Sequence, residues 1–405
     1  YHITFYGEPM LTNEFTQTLQ LPELKIIKCL RTGKLDSEFE LEKTSQFEVC
    51  PKCATRSWTI YDHVWVRIKD APIRDRHIYL KIKKRRFYCK KCKKPFTEPV
   101  AGIRKGFRTT ERFRKHIMWC SDNFSNLSQV QRQLDISSSL NHKAYYEQLG
   151  LQIKTIQNEW ATTIGIDEHA FRKNKKGGYR EFATIFVEYS HKRVRELALG
   201  RSPGELFSNE KLMAIPGREN VKNVIIDLSK TYHRFASDFF PNAKIVADRF
   251  HVMRLFNNIV NQYRKNCTGD KRKNPIRKLL LKRSADVDPH VRRAVNRWLD
   301  ENPSVQEVYY YKEAMHRFYR IKGMKHAKRV LIKLTDQMAL SNLPEIKTLR
   351  KTICQWRNEI LQFFENGLTN GRTEGFNRVA KLIQRNAYGF RNFENYRRRL
   401  IYRTM

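Results

Sequence analysis

The sequence predicts a multidomain α+β protein, and three observations lead to this prediction. Two cysteine pairs near the N-terminus flank a stretch in which apolar and polar residues alternate, as they do in a β-hairpin. Residues 160–248 combine short apolar runs with amphipathic segments, which is typical of a mixed sheet packed against helices. Residues 250–365 carry long helical patterns with few strand signals. A chain of 405 residues is long enough for two or three domains with separate cores.

The chain is strongly basic, with 79 Lys and Arg residues, 41 Asp and Glu residues and a formal net charge of +38. Because such an excess repels itself in the compact state, we expect a polyanionic partner. Nucleic acid is favoured over an anionic membrane surface and over a solvated surface without a partner. The longest apolar runs, such as 182–189, are far too short to span a bilayer, so no membrane association is expected.

The cysteine pairs Cys50-Pro-Lys-Cys53 and Cys89-Lys-Lys-Cys92 have the spacing of two metal-binding knuckles. We find no charged-then-apolar signal segment and therefore expect a reducing compartment, which favours a metal site over disulfides. Four thiolates suit tetrahedral Zn²⁺ with Zn–S bonds of about 2.3 Å and leave no position open for catalysis. We predict structural zinc, coupled to folding. Four further cysteines, interpreted as core or neutral thiols, are Cys29, Cys120, Cys267 and Cys354.

The segment between the cysteine pairs is predicted to form the hairpin. Ile78, Leu80 and Ile82 alternate with polar residues, which indicates a half-buried strand. Ala71-Pro72 suits the turn that joins the two strands. Zinc would hold the open ends of the hairpin together and would present a basic cluster to DNA phosphates. The cluster consists of Lys81, Lys83, Lys84, Arg85 and Arg86.

Residues 108–150 read as three helices, the first opening with a threonine cap and the last two separated by a break at 135–137. A helix, a tight turn and a second polar and basic helix suit a helix-turn-helix, although many helical bundles would give the same pattern. If it is one, its third helix would read bases in the major groove. The residues predicted for that role are Asn141, His142 and Lys143.

From residue 160 the pattern changes to α/β. Strands are predicted for 161–167, 181–189, 191–200, 222–227 and 243–248, with the third paired to the second through a turn. Helices are predicted for 202–215 and for 229–240, the latter capped by Ser229. Together these elements describe a mixed sheet with helices packed on it.

Carboxylates stand at the ends of two of these strands. Asp167 closes the first and Asp227 the fourth, while Glu374 lies near the start of a later helix. Converging carboxylates of this kind can hold two Mg²⁺ ions about 3.5–4 Å apart for in-line attack on a phosphodiester. Strand-end aspartates are also common as simple turn residues. The sequence alone leaves three alternative acids open: Asp248, Glu168 and Asp238.

The helix around Glu374 would carry both a metal ligand and phosphate contacts. Glu374, Arg378, Lys381 and Arg385 follow 4-3-4 spacing and share one face. An ordinary row of solvated ion pairs would give the same pattern, so this helix alone does not decide between the two readings. Its opposite face is suited to packing and consists of Phe376, Val379, Ala380 and Ile383.

In order along the chain come the cysteine pairs, the helix-turn-helix pattern, IGID, VIID, ADRFHV (247–252), NGRTEGFN (370–377) and YGFRNF (388–393). In this combination the chain resembles the ISL-three family of bacterial insertion-sequence transposases. The resemblance runs from about Cys50 to the C-terminus. Residues 1–45 add nothing to it.

The resemblance implies a ribonuclease H-like catalytic domain with an Asp-Asp-Glu triad of Asp167, Asp227 and Glu374 that holds Mg²⁺ or Mn²⁺. Asp248 and His251 would lie beside the site without belonging to the triad. The implied activity is recognition of terminal inverted repeats, strand cleavage and strand transfer at the bacterial nucleoid in the cytoplasm. The implied partners are the double-stranded DNA of the element ends and target, and further copies of the chain in a homodimer or higher synaptic assembly. DNA-backbone contacts near the site are predicted for Arg372, Arg378, Lys381, Arg385 and Arg391.

The predicted organisation follows from these patterns and the resemblance together. The segments are an N-terminal segment of unknown role (1–45), a zinc-binding module (46–100), a helix-turn-helix domain (101–155), the first part of the catalytic domain (156–258), a helical insertion (259–362) and the last part of the catalytic domain with the Glu-bearing helix (363–405). Two other functions stay open. One is a non-catalytic DNA-binding regulator that uses only the zinc and helix-turn-helix modules. The other is a ribonuclease H-type nuclease that cuts without joining.

Overall fold

The computed structural model describes residues 21–154, 159–173, 178, 180–269 and 274–405. The chain divides into two compact units, Tyr1–Gln152 and Ile153–Met405. The first 20 residues of the predicted N-terminal segment lie outside the described residues.

The first unit contains a five-stranded sheet in the order β1-β2-β6-β5, with β7 paired to β6. Strand β2 runs antiparallel to β1 and parallel to β6, so part of the segment without a recognisable motif completes this sheet. Alternating residues of these strands, such as Leu41, Leu80 and Ile82, form its core because one face of the sheet is buried. The strands of this sheet are β1 (Leu24–Thr32), β2 (Asp36–Lys43), β5 (Ile60–Ile73), β6 (Arg76–Cys89) and β7 (Lys94–Thr97). Strands β3 (Glu48–Val49) and β4 (Arg56–Ser57) form a separate antiparallel pair.

The predicted hairpin is formed by β5 and β6, but the predicted turn at Ala71-Pro72 is wrong. The chain reverses at Arg74 and Asp75, whose φ angles of 49° and 62° are those that a tight two-residue hairpin turn requires. Ala71 and Pro72 instead lie inside β5, at a register shift between Asp70 and Ile73. A proline is tolerated there because β5 is an edge strand and the position is a bulge.

In the described part of the first unit, three helices follow the strands: α1 (Glu111–Asn123), α2 (Leu127–Leu134) and α3 (Ser138–Ile153). The Thr110 side chain caps α1 by accepting from the backbone N–H of Phe113, as the sequence predicted. Helix α2 ends at Asp135, which adopts the left-handed conformation with φ 46° and begins the break before α3. The three helices share a small apolar core that includes Ile117, Val130 and Ala144.

The second unit contains a five-stranded sheet in the order β10-β9-β8-β11-β12. Strands β8, β9 and β10 are antiparallel neighbours, whereas β11 runs parallel to both β8 and β12. The first strand does not end at Asp167 as predicted, because its antiparallel pairing with β9 continues to Lys173. The strands are β8 (Thr163–Lys173), β9 (Arg180–Glu188), β10 (Arg193–Leu199), β11 (Asn223–Ile226) and β12 (Lys244–Ala247).

Three helices connect these strands. The single helix predicted for 202–215 is two short ones, α4 (Pro203–Phe207) and α5 (Glu210–Met213), because Asn209 caps a new helix after Ser208. Helix α6 (Lys230–Phe239) is capped by Ser229, as predicted.

Both faces of the second sheet are covered. One face packs against α6 and the long helical segment in a single core that includes Ile166, Ile226 and Phe256, so the described helices of this segment share the core of the sheet. The other face packs against α14 and α15 through residues such as Ile185, Ala380 and Leu400. None of the described helices is long and apolar enough to cross a membrane. The remaining helices are α7 (Arg249–Thr268), α8 (Pro275–Leu281), α9 (Pro289–Asp300), α10 (Pro303–Phe318), α11 (Met324–Ala339), α12 (Pro344–Gln355), α13 (Arg357–Asn366), α14 (Gly371–Asn386) and α15 (Phe393–Arg403).

Candidate metal centres and nucleic-acid interface

The four cysteines of the two pairs come together at the open end of the hairpin. Their sulfur atoms all lie within 4.8 Å of one another, with 3.9 Å between Cys50 and Cys92 and 3.5 Å between Cys53 and Cys89. Tetrahedral zinc with bonds of about 2.3 Å would place its sulfur ligands about 3.8 Å apart, so this cluster fits the ion. The backbone N–H of Cys92 donates to the Cys89 sulfur, as expected in a metal knuckle.

The cluster also has the electrostatics of a metal site. Hydrogen bonds with Thr55 lower the pKa of Cys53 to about 6. The pKa of Cys92 rises to about 12 because hydrogen bonding to Cys53 and burial favour its thiol. Four sulfurs this close cannot all ionise unless a cation offsets their charge. The other cysteines stand apart from the cluster: Cys120 is buried, Cys354 is half-buried, and Cys29 and Cys267 are exposed.

The basic cluster on β6 divides between the two faces of the hairpin. Lys81 and Lys83 pair in register with Glu40 and Glu42 of β2, on the face opposite to the core. Lys84 lies on the other face, where partial burial lowers the pKa of its ammonium group.

The two arginines of the same cluster already have carboxylate partners. Arg85 donates to the buried Glu98 at 2.8 Å, and Arg86 donates to Asp62 at 2.8 Å. A phosphate would therefore compete with an ion pair at both arginines. The two lysines of the solvent face are the better candidates for DNA contacts on this strand.

The residues predicted to read bases differ in their accessibility. His142 and Lys143 are exposed on α3. Asn141 is fully buried, and its side-chain amide donates to the backbone carbonyl of Leu127 at 2.9 Å. That bond ties α3 to the first turn of α2, so the prediction that Asn141 contacts a base does not fit this arrangement.

In the second unit, three aspartates form a row: Asp167 lies within β8, and Asp227 and Asp248 directly follow β11 and β12, the next two strands of the sheet. The parallel register pairs Gly165 with Ile225, and Ile226 with Ala247. Continued by one or two residues, this register places Asp167 beside Asp227 and Asp227 beside Asp248. Adjacent strands are about 4.8 Å apart, and residues at one register level point to the same face. The sequence predicted the first two of these positions and named Asp248 only as a neighbour.

Helix α14 brings Glu374 to this row because its first turn packs closely on β8. A Cβ atom at Gly165 would lie 2.1 Å from the Thr373 hydroxyl and 2.9 Å from the Tyr189 ring, so only glycine permits this approach. The Tyr189 hydroxyl donates to the carbonyl of Thr369 at 2.7 Å, and the N–H of Asn370 donates to Asp248 at 3.0 Å. The start of α14 is thus tied to residues that directly follow β9 and β12.

A second group of possible ligands among the described residues consists of Asp248, His251 and Glu374. One ligand atom from each lies within 4.8 Å of the others. His251 stands one turn into α7, with Nε2 3.9 Å from the free carboxylate oxygen of Asp248. The charge of His251 partly offsets the rise that burial causes in the pKa values of Asp167 and Asp227. Of the predicted triad, this group contains Glu374 but neither Asp167 nor Asp227. We call these five residues the carboxylate cluster.

Burial and mutual repulsion act on the carboxylates of this cluster. Burial raises the pKa of Asp167, and it raises that of Asp227 to about 6 with a further contribution from the charge of Glu168. Among the described residues, three buried oxygens here have no hydrogen-bond donor: Glu168 Oε2, Asp227 Oδ1 and Asp248 Oδ2. Buried anionic oxygens without donors are costly, and a bound cation would satisfy them.

Sequence reasoning missed a buried residue that contacts this cluster. The Asn377 amide donates to Asp167 Oδ2 at 2.7 Å, and its oxygen lies 2.9 Å from Nδ1 of His169. Burial lowers the pKa of His169 to about 4, so its ring is neutral at physiological pH. The signal was present in the spacing: Asn377 lies three residues after Glu374 on α14, and His169 lies two residues after Asp167 on β8.

The predicted track of cations along α14 is accessible. Arg378, Lys381 and Arg385 are all exposed, and so is Arg391 in the loop after the helix. Arg372 differs because its guanidinium donates to the backbone carbonyl of Tyr189 and lies 5.1 Å from the centre of that ring. It therefore braces the start of the helix against the residue that follows β9.

Comparisons with known proteins identify the family of this chain. A family model described as a transposase matches residues 164–400, which is more than half of the chain. A second model, described as the zinc-finger of transposase IS204/IS1001/IS1096/IS1165, matches residues 46–92. The chain is also similar to the transposase for insertion sequence element IS1001 of Bordetella parapertussis, with 24% identity over 376 residues that cover 87% of this chain and 88% of that protein. The chain therefore belongs to the ISL-three family of insertion-sequence transposases.

Proposed function

We propose that this transposase binds the terminal inverted repeats of an insertion sequence and uses two divalent metal ions for DNA strand cleavage and strand transfer. The observation that carries the proposal is the row of Asp167, Asp227 and Asp248 on adjacent strands, with Glu374 brought to it by α14. A sheet of three antiparallel strands followed by two parallel ones supports a ribonuclease H-like catalytic domain.

The residues present fit divalent cations of the Mg²⁺ type. Such ions take oxygen ligands, and the cluster offers carboxylates whose buried oxygens lack donors. Asp167, Asp227 and Glu374 are the proposed ligands, with Asp248 within reach of Glu374. When bound, two such ions would activate a water or 3′-hydroxyl and offset the charge on the leaving oxygen.

The chain itself would hold the DNA in line with that site. The exposed cations of α14 follow the helix that carries Glu374, so a phosphate backbone lying along them would pass the carboxylate row. The zinc module and the three helices after it are the proposed readers of the element end, with His142 and Lys143 the remaining candidates for base contacts. Because both ends of an element must be processed together, we propose a dimer or larger assembly at the nucleoid.

The experiment compares wild type with Asp227→Ala on a labelled duplex that carries the element's own end, with Mg²⁺ or Mn²⁺. Asp238→Ala is the matched control, because Asp238 lies on α6 after the same strand but is more than half exposed at the surface. We expect metal-dependent cleavage and joining by wild type and by Asp238→Ala. Asp227→Ala should bind the duplex equally well, since cationic residues dominate affinity, and should cut nothing.

Two outcomes would replace this proposal. Equal DNA binding without cleavage by any of the three proteins, also with paired ends and a supercoiled target, would indicate a non-catalytic regulator. Cleavage that never proceeds to joining under the same conditions would indicate a nuclease.

A further inference from the structure

Three hydrogen bonds run in series through the buried face between β8 and the two C-terminal helices. They join the Tyr396 hydroxyl to His169 Nε2 at 2.6 Å, His169 Nδ1 to the Asn377 oxygen at 2.9 Å, and the Asn377 amide nitrogen to Asp167 Oδ2 at 2.7 Å. The three supporting side chains are at most 5% exposed. The series begins in α15, crosses β8 and α14, and ends at a carboxylate of the metal-binding cluster.

The chemistry of the groups determines the direction of every bond. An ionised carboxylate only accepts, so Asn377 must present its NH₂ group to Asp167 and its oxygen to His169. His169 must then carry its proton on Nδ1, which leaves Nε2 of the neutral ring to accept from the Tyr396 hydroxyl. Each donor therefore meets an acceptor, and the amide of Asn377 cannot turn over without breaking two bonds.

The position of Asn377 on α14 connects this series of hydrogen bonds to Glu374. Asn377 lies one turn after Glu374 on the same side of α14, so one helix supplies a ligand and the donor that orients another ligand. The second oxygen of Asp167 accepts from the backbone N–H of Glu168 at 2.8 Å. Both oxygens are thereby held in place, and each keeps a lone pair for a cation.

We propose that Asn377 is a positioning residue for Asp167, and that His169 and Tyr396 fix the orientation of its amide. This inference rests on the proposed function in one respect, namely that Asp167 is a metal ligand. Hydrogen-bond partners of ligating carboxylates change metal affinity or activity about 10–100-fold when they are removed. Asn377 is expected to act in this way without touching the DNA or the metal.

The test measures Mn²⁺ binding by the full-length, zinc-loaded protein without DNA, from the electron paramagnetic resonance signal of free Mn²⁺. Asp167→Asn identifies the Mn²⁺ binding that belongs to this site: only the binding that is lost in this variant is compared. We expect Asn377→Ala to weaken that binding about 10-fold or more. Tyr396→Phe should weaken the binding by a smaller factor. It removes the hydrogen bond between Tyr396 and His169, whereas the Asn377 amide still donates to Asp167.

Two further variants separate positioning from packing. Asn377→Asp preserves size and shape but presents an oxygen to Asp167, so we expect it to bind Mn²⁺ more weakly than Asn377→Ala; a packing role predicts the reverse order. Gln384→Ala is the matched control, because Gln384 also joins α14 to β8, through the carbonyls of Ala170 and Phe171, but touches no carboxylate. It should bind Mn²⁺ as wild type does.

Mn²⁺ binding by Asn377→Asp at least as tight as by wild type would overturn the inference. So would an equal loss in Gln384→Ala and Asn377→Ala, because only a shared packing role explains it. A thermal melt of each variant shows whether it is folded, and Tyr396→Phe provides the comparison if Asn377→Asp is not.

The expected Mn²⁺ order without any cleavage by wild type would reject the proposed function alone. Wild-type cleavage with unchanged Mn²⁺ binding in the Asn377 variants would reject this inference alone.

Discussion

The carboxylate of Asp227 illustrates how a single residue of the site opposes the stability of the fold. One of its oxygens is buried without a donor, and its pKa rises to about 6, first because of burial and then because of the negative Glu168. Above that pH the folded protein must hold an ionised group that the unfolded chain would hydrate freely. Residues kept in spite of such an effect are characteristic of functional sites, where activity is selected at the expense of stability.

Asp227→Asn should therefore stabilise the protein when no divalent cation is added. The pKa of Asp227 is higher in the folded state than its ordinary value of 3.8, so the folded state binds the extra proton, and the destabilisation grows as pH rises from about 4 to about 6. We expect a gain of about 1–3 kcal/mol at pH 8, seen as a rise of several degrees in Tm, and no gain at pH 4. Differential scanning fluorimetry at both pH values measures it, with the exposed Asp238→Asn as control. An equal Tm for the variant and wild type at pH 8 would contradict the argument.

Gly165 carries a prediction about close approach. Gly165→Ala would place a methyl group 2.1 Å from the Thr373 hydroxyl and 2.9 Å from the Tyr189 ring, so α14 must move away from β8. We expect a loss of about 1–3 kcal/mol in the free energy of unfolding and a loss of strand cleavage, since Glu374 moves with the helix. Urea unfolding measures the first effect. Gly375→Ala on the same helix meets no atom within 4 Å and should be neutral or stabilising, so an equal loss there would refute the steric explanation.

At the scale of elements, apolar periodicity predicted most strands and helices well but did not predict the buried polar contacts. The strands β9, β10, β11 and β12 and helix α14 were predicted because alternating or helical apolar patterns reflect burial directly. The packing face of α14 was predicted from its apolar residues, yet Thr373 and Asn377 are also buried on it. Their partners come from β8, which is remote in sequence, so no local pattern identifies them. The burial of Asn141 likewise involves a bond between two helices, to the backbone carbonyl of Leu127, that no local pattern identifies.

The hairpin shows a second limit of prediction from sequence, which concerns its turn. Its strands and its cysteine clamp followed from local spacing, but its turn did not form at the proline. Arg74 and Asp75 adopt positive φ angles without glycine, and the signal that usually marks such turns is therefore absent from the sequence.

The zinc module carries a prediction of its own. Cys89→Ser should remove bound zinc, because three remaining thiolates leave the tetrahedral site incomplete. We expect close to one zinc per chain in wild type, its loss in the variant, and weaker binding to an element-end duplex. Elemental analysis after gel filtration measures the metal, and fluorescence anisotropy measures the binding. Cys267→Ser, at an exposed cysteine outside the cluster, should retain both properties. Full zinc retention in Cys89→Ser would reject the four-thiolate site.

At the scale of the whole molecule, the helical segment between β12 and α14 has a structural consequence for the site. Its described helices share one core with a face of the sheet, so the residues that separate Asp227 from Glu374 in sequence also determine where α14 returns. The site therefore depends on the complete second unit. The charge of +38 belongs to this scale as well, because it acts on DNA from many residues at once.

The distribution of that charge can be tested through the salt dependence of DNA binding. Each phosphate contact contributes about 0.9 to the slope of log K against log salt concentration. A variant in which Arg378, Lys381 and Arg385 are replaced by glutamine should lower that slope by about 2–3 on an element-end duplex and should lose cleavage. The matched variant replaces the exposed Lys325, Lys328 and Arg329 of α11 and removes the same charge from another helix. If α14 tracks the DNA backbone past Glu374, only the first variant changes the slope this much. Equal changes in both would mean that the overall field of the protein holds DNA without a defined path along α14.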